Sequence, residues 1–280
     1  LVLLEEFKGD FLSGETIGKR LKLSRSAVWK NINELKKDGF TIHGVSNKGY
    51  CLLSDCDRLS SEGICAFIDN ECKNLSIHVE NQVTSTNTLV KEAGACGVPE
   101  GYVLVANQQT EGRGRYGRSF YSPESTGIYF SILLRPKMEV NEAATITTIA
   151  AVSVAKAIQK VTGKEVQIKW VNDLFFQGSK ICGILTEGAL NMESKGMDYV
   201  VVGIGLNVKL PQNGFPKELE LIATSLETKG QEESRNRLVA ECLNCFFHYY
   251  NQLPQRNYVE EYRKRSLILG KEILVMSTEN

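Results

Sequence analysis

Apolar positions along this chain follow two rhythms, and the change from one to the other divides it. Near the start the spacing is helical. Ile17 and Leu21 lie four apart, and Val28, Ile32 and Leu35 repeat at helical spacing with Trp29 beside them. The first set predicts a short helix over residues 15–21. Leu23-Ser24 breaks it, and Ser24 is a good N-cap for a second helix that starts at Arg25 and is ended by Gly39. Residues 40–45 and 50–53, joined by Ser46-Asn47-Lys48-Gly49, then predict a hairpin. Residues 55–75 read as a linker plus a short helix.

From Ser76 the pattern becomes one of strands alternating with helices. Strands are expected over residues 77–83, 102–106, 128–134, 166–170, 180–187 and 199–208. A long helix over 142–161 puts Ile146, Ile149, Ala150, Ala157, Ile158 and Val161 on one stripe, and 237–253 is a further helix-like run. A sheet with helices on one side, α+β or mixed α/β, is the class these elements predict.

Charge changes the picture of the first segment. The whole chain of 280 residues balances 33 Lys and Arg against 33 Asp and Glu, which argues against a nucleic-acid partner until the total is divided. Residues 14–50 hold eight basic residues (Lys19, Arg20, Lys22, Arg25, Lys30, Lys36, Lys37, Lys48) and three acidic ones (Glu15, Glu34, Asp38), a local balance of +5. Two short helices, the second polar and basic on its free face, followed by a hairpin, describe a winged helix-turn-helix. Ser24, Arg25, Ser26, Lys30 and Asn31, with Lys48 at the wing tip, are the candidate DNA contacts. A small helical domain with solvated charges is the alternative.

Other classes are excluded more briefly. No apolar run approaches the roughly 20 residues of a membrane span, and no leader with a cleavage site opens the chain. The eight cysteines are scattered; Cys242 and Cys245 lie in a helix-like run with no second pair to complete a tetrahedral site. No resident metal is expected, and a reduced cytoplasmic compartment fits. Ser153 and Lys156 form an S-x-x-K without partner motifs and carry no assignment.

One loop concentrates chemistry. Gly112-Arg113-Gly114-Arg115-Tyr116-Gly117-Arg118 satisfies G-x-G-x-x-G, but a dinucleotide site requires those glycines to join a strand directly to a helix. Here a polar spacer precedes them and Arg118-Ser119-Phe120-Tyr121-Ser122-Pro123 follows. Glycines alternating with arginines between strands suit a mobile cover over an anion, since guanidinium forks grip phosphate or carboxylate. Thr84-Ser85-Thr86-Asn87, Lys169-Trp170-Val171-Asn172-Asp173, Lys180 to Leu185 and Gly203-Ile204-Gly205-Leu206-Asn207 could converge with it.

Together, and in this order, these segments closely resemble the biotin protein ligases of the bifunctional class, the biotin operon repressors. The resemblance covers nearly the whole chain. Its most specific parts are the G-R-G-R-x-G loop and the K-W-x-N-D run followed by K-x-x-G-I-L, with valine at 171 where proline is more usual. It implies an α+β chain: a winged helix-turn-helix at 1–56, a linker at 57–75, and a catalytic domain at 76–268. That domain is a mixed sheet with helices, like class II aminoacyl-tRNA synthetases. Residues 269–280 would open a truncated C-terminal SH3-like barrel, its first strand over 270–276, so the chain is expected to be cut short at both ends.

The resemblance also implies the chemistry. Biotin and ATP are substrates with Mg²⁺; they form biotinyl-5′-adenylate, and a lysine of a biotin carboxyl carrier domain then takes the biotin. No protein nucleophile is needed, which agrees with the lack of a Ser-His-Asp or Cys-His set. Ser85, Thr86, Asn87, Gln109 and Arg115 are expected at biotin, the ring among them, through uncharged hydrogen bonds. Gly112, Arg113 and Gly114 would cover the valeryl chain, with Gly183 and Gly203 keeping facing strands close. Lys180 would stabilise the carboxylate and acyl phosphate, making Lys180, Arg115 and Arg118 the catalytic candidates. Arg118, Trp170, Asn172, Asp173 and Asn207 are expected on the ATP side. Operator DNA, bound by an adenylate-bound homodimer, is the second partner. A biotin sensor with decayed ligase activity is the alternative. Lipoate ligases are less similar, because their R-R-x-S-G-G-G stretch and downstream histidine are not found.

Overall fold

The computed structural model describes residues 1–138, 143–190, 196–226 and 234–274. At the N-terminus stand α1 (Val2–Glu6), α2 (Gly14–Leu21) and α3 (Arg25–Lys37), followed by the hairpin β1 (Ile42–Val45) and β2 (Gly49–Leu52). The expected cap is present: Ser24 Oγ accepts from the Ala27 N–H at 3.1 Å, and Ser13 Oγ does the same for Thr16 at the start of α2. Gly39 sits at φ +90°, in the left-handed region, and lets Phe40 N–H reach back to the Leu35 carbonyl. Leu4, Leu12, Ile17, Val28, Ile32, Phe40, Ile42 and Leu52 close a small core of their own. Trp29 differs from expectation. It is 61% exposed and lies beside Arg25, Ser26 and Lys30, because the apolar stripe of α3 is filled by Val28, Ile32 and the partly buried Leu35.

The rest of the chain builds a seven-stranded sheet. Its strands are β3 (Ser76–Val83), β4 (Tyr102–Gln109), β5 (Gly127–Leu134), β6 (Gln167–Lys169), β7 (Asp173–Phe176), β8 (Ser179–Leu190) and β9 (Met197–Asn207), in the order β3-β4-β5-β9-β8-β7-β6. β3 and β4 pair in parallel and every other neighbouring pair is antiparallel. A parallel pair needs a crossover, which α5 (Thr86–Ala95) supplies.

The helices lie on both faces of the sheet, which corrects the one-sided arrangement expected. α6 (Ala143–Thr162) and α7 (Ser234–Tyr250) pack with Val103, Val105, Ile128, Phe130, Val200 and Val202 in the main core. α5 covers the opposite face through Val90, against Leu104, Leu133 and Val201. Odd and even strand positions thus serve different cores, and β5 is buried along its whole length. α8 (Tyr258–Arg265) leans on α6. The expected start of α6 at Glu142 lies outside the described residues.

The stretch expected to be a linker is built into this body. α4 (Ser61–Cys65) sends Ile64, with Leu59 and Cys72, into the main core. α7 grips the backbone leading to it: Asn236 Nδ2 donates to Arg58 O, and Ser60 N–H donates back to Asn236 Oδ1. Arg235, 3% exposed, donates through Nε to Asp57 Oδ2 at 2.8 Å and through Nη1 to Asn107 Oδ1 at 2.7 Å. At the other end, residues 269–274 form turn and irregular backbone rather than a strand. The remainder of the expected SH3-like strand lies outside the described residues. No helix among the described residues is long and apolar enough to cross a membrane.

Candidate active site

A cavity of about 590 Å³ opens at the sheet, bounded by the start of α5, the arginine loop, the β7–β8 hairpin and the end of β9. Ser85 caps α5, its Oγ accepting from Thr88 N–H at 3.5 Å, so the polar cluster after β3 is also a helix start. Thr86 N–H donates to Gln109 Oε1 at 2.9 Å, and Thr86 Oγ1 lies 3.1 Å from the same oxygen. That fixes the Gln109 amide, and its Nε2 donates to Ser122 Oγ at 2.9 Å. Asn87 is 4% exposed; its Nδ2 donates to Glu187 Oε2 at 2.9 Å and to Leu185 O. A Cβ on Gly203 would collide with Asn87 Oδ1, and one on Gly205 would lie 2.5 Å from the Phe120 ring. These glycines are what allow α5 and Phe120 to approach β9.

A second cluster holds the charge. Lys180 Nζ lies 2.7 Å from Asp173 Oδ1. Asn172 Nδ2 donates to the same Asp173 oxygen at 3.1 Å and to Ile184 O at 3.0 Å. The β7–β8 pairing brings these residues together, since Phe175 faces Lys180 and Asp173 faces Gly183 in register. Arg115 reaches this cluster too, donating from Nη1 to Asn172 Oδ1 at 3.0 Å, rather than joining Thr86 and Gln109. Asn207, at the end of β9, donates to Thr224 O at 3.1 Å.

The arginine loop is the tip of a narrow hairpin. Phe120 N–H donates to Gly112 O and Gly114 N–H to Arg118 O, closing its base. Gly112 is buried there, where a side chain would strike Phe120 O; it belongs to the loop's base and is not among the residues lining the cavity. Arg113, Arg115 and Arg118 are exposed and line the mouth. Trp170 does not line the cavity. It stands 62% exposed, edge-on to Tyr262 at 6.1 Å, and the Trp170–Val171 peptide bond is cis.

The structure therefore brings together Ser85, Thr86, Asn87, Gln109, Arg113, Gly114, Arg115, Arg118, Asn172, Asp173, Lys180, Gly183, Gly203 and Asn207, and leaves Gly112 and Trp170 at the margin. The sequence reading missed most of the apolar wall, Phe120, Phe175 and Phe215, and also missed Glu187. Burial alone would raise the Glu187 carboxyl, but hydrogen bonds from Lys91 and Asn87 hold it below its ordinary range. No cluster of three or more His, Cys, Asp or Glu that could cage a metal occurs among the described residues.

On the first domain, Ser24, Arg25, Ser26, Lys30, Asn31 and Lys48 are all exposed. Ser24 is occupied as the cap, Arg25 pairs with Glu15 at 3.2 Å, and Asn31 donates to Ala27 O. Lys30 is exposed on the helix, and the exposed Lys48 at the wing holds its ammonium over the Phe11 ring at 5.9 Å.

A helix-turn-helix ahead of a mixed sheet whose cavity joins an uncharged hydrogen-bonding wall to a Lys–Asp–Asn cluster defines a two-domain ligase-like protein. Comparison with known proteins agrees. Residues 79–207 match the biotin/lipoate A/B protein ligase family, and residues 1–51 match an HTH domain. The bifunctional ligase/repressor BirA of Bacillus subtilis is 36% identical over 245 residues, 87% of this chain and 75% of that one. Its Escherichia coli counterpart is 31% identical over 72% of this chain and 61% of its own length. The biotin protein ligase of Aquifex aeolicus, solved with biotin and ATP, aligns at a TM-score of 0.58 with 32% identity, covering 70% of this chain and 80% of that one. The chain belongs to the biotin/lipoate A/B protein ligase family, in its branch with an N-terminal DNA-binding domain.

Proposed function

We propose that this protein is a biotin protein ligase that also represses transcription through its helix-turn-helix. The observation that carries the enzymatic half is the cavity itself. One wall offers neutral donors and acceptors, Thr86, Asn87 and Gln109, and the other offers a lysine paired to a carboxylate beneath three arginines. A ureido ring is held by neutral hydrogen bonds without stranding a charge, and a carboxylate and a triphosphate need cations.

In the first step, a carboxylate oxygen of biotin attacks the α-phosphorus of ATP, and the bond to the β-phosphate oxygen breaks, releasing pyrophosphate. Two anions must meet, and Lys180, Arg115 and Arg118 neutralise them. In the second, a carrier-domain lysine nitrogen attacks the acyl carbon; the C–O bond to phosphate breaks, AMP leaves, and the amine gives up its proton. Ser85, Thr86, Asn87 and Gln109 hold the ring, with Gly183 and Gly203 keeping the facing strands near it. Gly112, Arg113 and Gly114 carry the covering loop. Asn172, Asp173 and Asn207 serve the nucleotide, and Trp170 flanks it from outside the cavity.

A wholly protein-built Mg²⁺ site does not suit a donor set with one carboxylate. Asp173 suits a single ligand to Mg²⁺ that arrives on the ATP phosphates and neutralises their charge. The enzyme is placed in the cytoplasm, with residues 1–56 as the DNA-binding unit and the body from 76 to 268 as the ligase, bracketed by 57–75. Adenylate ordering of the arginine loop would favour a homodimer, which sets two copies of α3 on a two-fold operator.

To test the ligase, protein is mixed with biotin, MgATP and a biotin carboxyl carrier domain and probed with streptavidin. Labelled carrier is expected, and its absence at micromolar enzyme would refute the assignment. A gel shift on the biotin promoter tests the repressor: binding tightens with biotin plus ATP, and indifference to both ligands would leave DNA binding uncoupled from the ligase.

A further inference from the structure

Glu187 has no part in the chemistry above, yet it terminates a line of hydrogen bonds along the cavity wall. Lys91 Nζ lies 2.7 Å from Glu187 Oε1, and Asn87 Nδ2 donates to Glu187 Oε2 at 2.9 Å. Asn87 Oδ1 is 2.6 Å from Ser131 Oγ, which is 2.8 Å from Thr86 Oγ1, so with the Ser131 proton on Asn87 the Thr86 hydroxyl donates to Ser131 and the Thr86 backbone N–H alone donates to Gln109. Ser131 is fully buried, and among the described residues its hydroxyl bonds with Asn87 and Thr86.

Such a line needs its direction set, because hydroxyls donate or accept and an amide can turn over. At the Gln109 end, the Thr86 backbone N–H can only donate and fixes Gln109 Oε1 in place. At the other end, an ionised carboxylate can only accept, so at 2.9 Å, with the Leu185 carbonyl taking the second hydrogen at 3.3 Å, it requires the Asn87 NH₂ group and turns Oδ1 toward Ser131 and Gly203. Were Asn87 to flip, its NH₂ would face Ser131 and the bare backbone of Gly203. Ser131 would then have to accept, and its proton would swing to Thr86. The polarity of the wall at Thr86 and Asn87 would reverse for any ligand in the cavity.

We propose that Glu187, charge-balanced by Lys91, is the positioning residue that sets the donor–acceptor polarity of Asn87, Ser131 and Thr86 for ligand recognition. This rests on reading the cavity as the biotin site. A glutamine at 187 would be drawn by the Lys91 ammonium to turn its oxygen that way, leaving its own NH₂ against Asn87 and driving the flip. Without the ammonium, the same glutamine can offer its oxygen to Asn87.

The test is biotin binding by calorimetry and biotin KM and kcat for pyrophosphate release, in full-length wild type, Glu187→Gln, Lys91→Met and the double variant. Glu187→Gln is expected to raise Kd and KM about tenfold with kcat within twofold. Lys91→Met, which leaves the carboxylate on Asn87, should change them less than threefold. The double variant should recover to within threefold of wild type, a strongly non-additive cycle. A Glu187→Gln protein as tight as wild type, or a double variant no better than Glu187→Gln, would overturn the positioning role. Should Glu187→Gln fail to fold, a double variant binding biotin tenfold more weakly than Lys91→Met would overturn it, and one within threefold would support it. Wild type that binds no biotin would instead overturn the reading of the cavity.

Discussion

Lys180 Nζ and Asp173 Oδ1 lie 2.7 Å apart across the β7–β8 hairpin, each side chain about one-third exposed or less. The pair stores a cation at the cavity with its position already set, so little reorganisation is needed when an anion arrives. Lys180→Ala is expected to slow adenylate formation by about 100-fold or more, with biotin affinity changed far less. Rapid-quench measurement of pyrophosphate release checks this; a rate within threefold of wild type would remove Lys180 from the role.

The glycines of β9 give a graded prediction. Gly203→Ala forces Asn87 aside and Gly205→Ala presses on Phe120, whereas a Cβ on Gly183 meets Phe120 at 3.2 Å and the flexible Lys180 end at 3.4 Å. Gly203→Ala should cost about 1–3 kcal/mol in urea denaturation and weaken biotin binding, and Gly183→Ala should cost less of both. Equal effects would mean that strand spacing, not side-chain collision, sets the tolerance.

Arg235 is buried with its charge met by Asp57, which Lys209 also approaches at 2.7 Å. Arg235→Ala would leave Asn107 Oδ1 without that donor and Asp57 with half its compensation. A loss of about 3–5 kcal/mol is expected, toward the lower end because Lys209 remains. Chemical denaturation reads it directly, and a loss under about 1 kcal/mol would show that water replaces the guanidinium.

The proposed repressor function assigns Lys30 and Lys48 to phosphates. Lys30→Ala and Lys48→Ala should each weaken operator and random DNA alike and lower the slope of log K against log salt by about 1. Arg25→Ala should weaken the operator more than random DNA. Uniform weakening by Arg25→Ala would assign it to the backbone rather than to bases.

Much of this was legible in the sequence because periodicity is a local signal. Ser24 capped the helix it was expected to cap, and six strands fell within a few residues of their forecast bounds. What escaped was either doubly used or non-local. α5 was hidden because Leu89 and Val90 are its only large apolar residues and its cap, Ser85, reads as a ligand cluster. β7 is four residues long, too short for its alternation to register. Glu187 looks like any strand carboxylate until the fold sets Asn87, a hundred residues earlier, against it. Asp57 and Arg235, 178 positions apart, carry no pattern that relates them, so residues 57–75 read as a tether although Leu59, Ile64 and Cys72 belong to the core.

The exposed setting of Trp29 and Trp170 has a practical consequence. They are the only two tryptophans in the chain. One stands on α3 among the basic residues, and the other stands in the loop before Asn172, 62% exposed. Under the proposed function, each activity has a native optical reporter near its site. Emission from Trp29 should respond to the operator and emission from Trp170 to the nucleotide, and a Trp→Phe change at either position separates the two signals without any attached dye.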